Sequence, residues 1–96
     1  MSERVDVQPH GEHAFAVTLT EGTTVTHHLV EVPEELRIQL GLPEADVPAE
    51  GALVRESMEF LLEREPATSI LREFPLDEIG RHFPEYTDEI RDRLSG

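Results

Sequence analysis

His13-Ala14-Phe15-Ala16-Val17-Thr18-Leu19-Thr20-Glu21-Gly22-Thr23-Thr24-Val25-Thr26-His27-His28-Leu29-Val30-Glu31-Val32 is the stretch that decides the fold class. Its first eight residues alternate, placing Phe15, Val17 and Leu19 on one face, which is the period of a half-buried strand. Glu21-Gly22 breaks the run, and β-branched residues resume at Thr23, so the stretch reads as an antiparallel hairpin. A two-residue loop at Glu21-Gly22 would pair Phe15 with His28 and Val17 with Thr26, setting apolar against polar. A three-residue loop over 20–22 pairs Val17 with Val25 and Leu19 with Thr23. It also puts Gly22 at the left-handed position that a type I turn plus bulge requires. A slip of one residue flips every side chain to the other face, so the second register is the expected one. It leaves Val30 and Val32 on the opposite face, implying a bulge or a second buried surface near Leu29.

Downstream the pattern turns helical at Pro33. Proline suits the first helical position, Glu34 and Glu35 suit the positive end of the dipole, and Gly41 is a natural stop. Leu36 and Leu40 face inward, and Ile38 lies off that stripe. Residues 42–47 read as a loop, with Asp46 or Val47 capping a long helix from about 48 to 65. In it Leu53, Val54, Met58, Phe60, Leu61 and Leu62 make an apolar arc wide enough to pack on a sheet and a second helix. Pro66 ends it. Beyond come short helical pieces: Ser69 can cap 70–74, Asp77 can cap 78–83, and Pro84 can open a last helix to Leu94, whose narrow apolar edge is Tyr86, Ile90 and Leu94.

Upstream, residues 1–12 are polar and broken by Pro9-His10-Gly11. They read as a flexible or weakly ordered lead-in, with a short edge strand at Val5–Val7 as the other reading. The expectation is therefore one α+β domain over 13–96. It has an N-terminal antiparallel β-hairpin, a short helix, one long central helix and short proline-separated C-terminal helices. Its expected core is Phe15, Val17, Leu19, Val25, Leu29, Leu36, Leu40, Leu53, Val54, Phe60, Leu61, Ile70, Leu71, Phe74, Ile79 and Phe83.

Two motifs, 53–66 (Leu-Val-Arg-Glu-Ser-Met-Glu-Phe-Leu-Leu-Glu-Arg-Glu-Pro) and 69–86 (Ser-Ile-Leu-Arg-Glu-Phe-Pro-Leu-Asp-Glu-Ile-Gly-Arg-His-Phe-Pro-Glu-Tyr), carry a resemblance. With the upstream hairpin they resemble a group of small prokaryotic proteins of uncharacterised function, over most of the chain. The resemblance implies an intact single domain and brings no functional residues with it. In layout alone, the strand, short helix and long helix over 24–65 are similar to ribbon–helix–helix repressors and antitoxins. Such ribbons present polar and basic side chains to the major groove, whereas this strand offers Thr24, Thr26, His28 and Glu31.

The 96 residues carry 21 Asp and Glu against 8 basic residues, a formal net charge of −13. All the basic residues are Arg. A field of that sign repels phosphates and anionic lipid, so neither nucleic acid nor membrane is an expected partner. Adaptation to a halophilic interior is one source of such acidity, and a GC-rich genome is one source of the missing Lys. With no cysteine, disulfides, thiolate metal sites and cysteine nucleophiles are excluded. The start of the chain has neither the basic region nor the apolar run of a signal peptide, so a cytoplasmic location is expected.

Five histidines raise the question of a metal. His13 and His27 are the candidates, as diagonal neighbours in the chosen register, but spacing supplies no third ligand and zinc sites need three or four. The carboxylates lie on helix surfaces with nothing marking an acid–base pair in a cleft, and Ser57 is a packing residue inside the long helix. No phosphate loop, HExxH or nucleophile elbow occurs. By elimination the expectation is a non-enzymatic, cofactor-free protein–protein interaction module of regulatory use, its partner another protein or a second copy in a homodimer. The alternative is a ribbon–helix–helix-like transcriptional regulator or antitoxin.

Overall fold

The alternating segments on either side of Gly22 do form a hairpin. The computed structural model, which describes residues 3–42 and 46–95, builds it into a four-stranded sheet. The strands are β1 (Glu3–Pro9), β2 (Ala14–Glu21), β3 (Thr24–Glu31) and β4 (Glu73–Pro75), in the order β1-β2-β3-β4. The first three form an antiparallel meander and β4 joins β3 in parallel. A parallel neighbour cannot be reached by a tight turn. The crossover runs through α1 (Glu34–Leu40), α2 (Val47–Leu62) and a 3₁₀ turn at Ala67–Ser69. After β4 come α3 (Asp77–His82) and α4 (Tyr86–Ser95). The class is thus α+β, with a mixed sheet. The radius of gyration, 12.5 Å, is that of a compact chain of this length.

Two readings change at the sheet. Residues 3–9, inside the expected lead-in, pair with β2 along their whole length, from Glu3↔Glu21 to Pro9↔Phe15. Val5 and Val7 enter the inner face beside Leu19 and Val17, and burying them holds the strand in the sheet. Met1 and Ser2, residues 43–45 of the expected loop, and Gly96 lie outside the described residues. The hairpin register is neither of the two weighed from sequence. The loop is Gly22-Thr23, with Glu21↔Thr24, Leu19↔Thr26, Val17↔His28 and Phe15↔Val30. Gly22 has φ +64, and a glycine of positive φ at the first central position is what a type II′ hairpin turn requires.

That register moves β3's inner face to Thr26, His28, Val30 and, beyond the strand, Val32. Val30 and Val32 are core residues, whereas Val25 is 53% exposed and Leu29 is half-buried on the outer face. No bulge is needed.

The helices cover the inner face. Asp46 accepts from Ala49 N at 3.1 Å and Pro48 sits in the first turn, so α2 begins with a satisfied cap. A Cβ added at Gly51 would already lie 3.7 Å from the Phe15 ring, so the glycine lets the helix pack close to β2. Arg55 Nη1 donates to the Val5 carbonyl on β1, so one group of an open strand edge is occupied. At the end of α1, Gly41 (φ +71) lets Gly41 N and Leu42 N bond back to Ile38 O and Arg37 O, a Schellman-type stop.

The C-terminal third differs from the expected run of short helices. Ser69 closes the 3₁₀ turn instead of capping a helix over 70–74, and Phe74 is buried in β4. Leu71 is 56% exposed. Leu40 and Phe83 pack on the core only partly, while Val5, Met58, Leu62, Ala67, Leu76, Tyr86 and Ile90 join it. Phe60 meets Phe83 and Tyr86 edge to face, with centroids 5.8 and 5.4 Å apart. The Tyr86 hydroxyl lies 2.7 Å from Ser57 Oγ inside the core, and burial pushes the phenol's pKa well above its usual range. Among the described residues no helix is long and apolar enough to cross a membrane.

Candidate functional site

α2 ends at Leu62, short of the expected 65, and after Pro66 and the 3₁₀ turn at Ala67–Ser69 the chain runs extended from Ile70 toward β4. Two contacts pin that segment to β3. Leu29 N donates to Arg72 O at 2.7 Å, and His28 Nδ1 donates to Leu71 O at 2.6 Å. With its carbonyl committed to His28, Leu71 is left exposed beside Ile70 and Phe74, which turn into the core. Ile79 and Phe83 from α3 and its C-terminus approach from the other side, and Leu61 of α2 from below. Together these residues line an apolar groove of about 330 Å³, with Glu65, Ser69, Glu78 and His82 also on its wall. That volume falls in the range of binding clefts, about 300–1,000 Å³. Glu78 is bonded by Arg81 at 3.2 Å and by His82 at 3.1 Å. The groove can take up an apolar side chain and offers carboxylates beside it.

The histidines do not converge. His27 lies on the outer sheet face, 3.3 Å from the Thr18 hydroxyl. His13 sits at the β1–β2 turn, level with the far end of β2 and bonded elsewhere. Thr18, the partner of His27, is five residues from His13 along β2, about 16 Å at strand rise. Among the described residues no group of three or more His, Cys, Asp or Glu side chains could hold a metal.

His13 instead belongs to a cluster that sequence reasoning missed. Its backbone is left-handed, φ +55, a conformation that costs energy in a non-glycine residue. Its Nδ1 lies 3.0 and 2.9 Å from the two carboxylate oxygens of Glu50, which is 1% exposed. Arg37 Nε, on α1, is 3.8 Å from Glu50 Oε2, and Arg37 is 7% exposed. One buried carboxylate therefore ties the β1–β2 turn, α1 and α2 together. The only sequence sign was Glu50's place one turn after the Asp46 cap, where a carboxylate suits the helix dipole.

His28, which the wrong register placed outward, is the buried histidine, 5% exposed. Its Nδ1–H donates to Leu71 O, and Nε2 accepts from the Thr26 hydroxyl at 2.8 Å. That set suits the neutral ring, and desolvation lowers the pKa from 6.5. The unfolded chain then binds this proton more readily than the folded one. The contribution of His28 to stability is whole above about pH 6.5 and is lost as pH falls through the lowered folded value. Urea midpoints at about pH 7.5 and about pH 5 should therefore differ more in the native protein than in His28→Gln. Equal differences would mean that His28 titrates as it does unfolded.

Compared with known protein families, with curated proteins and with solved structures, the chain matches none.

Proposed function

We propose that this protein is a non-enzymatic interaction module, without cofactor, whose partner is a cationic amphipathic segment of another protein seated in the groove between α2, β4 and α3. The observation that carries the reading is Leu71, an exposed leucine at the mouth of an apolar groove that has Glu65 and Glu78 on its wall. Monomeric proteins rarely leave a contiguous apolar patch open unless something docks there. The chain's net charge of −13 favours a basic partner and raises its rate of encounter. Helix-in-groove binding uses this pairing of an apolar stripe with a complementary rim. A regulatory use fits such a module.

The ribbon–helix–helix alternative has no comparable support. It needs a strand free to pair with a second copy. Here β3 is paired by β2 on one edge and by β4 over Leu29–Glu31 on the other.

The test uses a synthetic helical peptide of Leu and Lys with leucines at i, i+3, i+4 and i+7, and a scrambled peptide of the same composition. Titration followed by amide chemical shifts should place the ordered peptide at Leu61, Leu71, Phe74 and Phe83. Leu71→Asp should weaken it at least tenfold, about 1.4 kcal/mol. That variant adds negative charge, so unspecific attraction would strengthen instead. Equal binding of both peptides, or binding unaltered by Leu71→Asp, would overturn the reading.

A further inference from the structure

We propose that the outer face of the sheet is a self-association surface on which two copies stack sheet against sheet, related by a two-fold axis parallel to the strands. Among the described residues the helices pack on the inner face, where Phe15, Val17, Leu19 and Val30 are buried. The centre of the outer face is Ala16, Thr18 and Thr20 of β2 beside Leu29, His27 and Val25 of β3. These six residues include no carboxylate and no arginine, in a chain with 21 acidic groups. Charge returns at the margins, with Arg4 and Asp6 on β1 and Glu31 and Glu73 on the opposite side. An uncharged centre inside a charged rim is the layout of a protein interface. A basic partner would gain most from the acidic surfaces, whereas another copy of net charge −13 meets least repulsion here.

The relief of the face singles out a second copy. Two of the three cross-strand rows set a small β2 residue beside a larger β3 residue, Ala16 with Leu29 and Thr18 with His27, and the third pairs the isosteric Thr20 and Val25. A two-fold axis along the strands, between β2 and β3, lays β2 of one copy over β3 of the other. Small then opposes large in the Ala16–Leu29 and Thr18–His27 rows, and like opposes like in the Thr20–Val25 row, on both sides, as an isologous interface demands. Aligned sheets pack about 10 Å apart with a twist near 30°. Such a twist leaves the central row, Thr18 and His27, in register.

Three strands about 25 Å long and the three-residue β4, about 10 Å long, spaced about 4.8 Å apart, give a face near 400 Å² per copy, or about 800 Å² for the pair. That is below the size of stable specific interfaces and in the range of weak encounters, so the dimer is weak and reversible. Salt should strengthen it, because at 1 M the Debye length is about 3 Å and the mutual repulsion of two acidic copies is screened.

Sedimentation velocity from about 10 μM to about 1 mM protein, at low salt and at about 1 M NaCl, reads this directly. The expected result is a monomer at low salt and low concentration, passing to dimer as either rises. His27→Glu, on an exposed side chain, should raise the dimer dissociation constant at least tenfold with an unchanged circular dichroism spectrum. Thr18→Glu should do the same from the other strand. Ile38→Glu, at the 70% exposed residue of α1, should leave the dimer intact, and so should Leu71→Asp. A monomer under all conditions overturns the proposal. So does a dimer lost in Ile38→Glu or Leu71→Asp and kept in His27→Glu and Thr18→Glu. Peptide binding in the groove should survive His27→Glu, so the two surfaces succeed or fail separately.

Discussion

Glu50→Ala should cost about 3–5 kcal/mol of folding stability, the range for removing one partner of a buried ion pair. A domain of this size has about 5–15 kcal/mol in all, so the variant stands near the edge of folding. The reason is what stays behind. Arg37, 7% exposed, would keep its charge with no carboxylate opposite it. His13 would lose the acceptor that holds its ring, while its left-handed backbone, φ +55, remained strained. Glu50→Gln retains an oxygen for His13 Nδ1 and removes only the charge facing Arg37, so it should fall between Glu50→Ala and the native protein.

A second substitution separates charge from packing. Glu50→Leu combined with Arg37→Met removes both charges, and replacing a buried pair by apolar residues of similar volume is often neutral or stabilising. The double variant should therefore recover most of what either single change loses, read as urea midpoints at constant slope. A loss in Glu50→Ala of only about 1 kcal/mol, the scale of an exposed pair, would mean water reaches the cluster. Failure of Arg37→Met to relieve Glu50→Leu would place the cost in the His13 contact instead.

How far the sequence led depends on whether a segment's neighbours are local. The β2 alternation needed no partner to be read, because Phe15, Val17 and Leu19 define a face by themselves. In β3 the apolar residues are evenly divided: Val25 and Leu29 on one face, Val30 and Val32 on the other. What tipped it was Leu71 O, 43 residues away, which satisfies His28 and lets it be buried. β4 was missed for a related reason. Three residues added in parallel to a strand far up the chain leave no periodicity. Phe74 with Ile70 and Leu71 looked like a helical stripe, and Leu71 was assigned to the core, when its exposure is what opens the groove. Glu50 was hidden by abundance. Among so many carboxylates, a buried one is distinguishable only by Arg37 and His13, which reach it from other elements.

Phe60→Ala should be as damaging as Glu50→Ala, about 3–5 kcal/mol, but through a cavity that no second substitution can compensate. The ring is fully buried and contacts α2's two neighbours at once, Phe83 at 81° and Tyr86 at 70° between ring planes. Edge-to-face pairs add about 0.5–1.5 kcal/mol beyond area. Its solvent side is covered by Arg64, whose guanidinium carbon is 3.5 Å from the ring centroid, with Arg93 at 5.8 Å. These arginines also bind the carboxylates around them. Arg93 bonds Glu63 and Glu89 at 2.7 Å each, and Arg64 reaches Glu85 at 3.4 Å and Glu89 at 3.3 Å. The Arg93 bond holds the Glu89 carboxyl below the usual carboxylate range. The ring is thus a platform that orients two cations among acids, and a double-mutant cycle can isolate that role. Arg64→Gln should cost about 0.5–2 kcal/mol in the native protein, the span of cation–π contacts. In a Phe60→Leu background, where apolar volume is largely kept and the π face is gone, the same change should cost far less. Equal costs in both backgrounds would show that Arg64 acts through its carboxylates and its bond to the Phe60 carbonyl, 3.1 Å, and not through the ring.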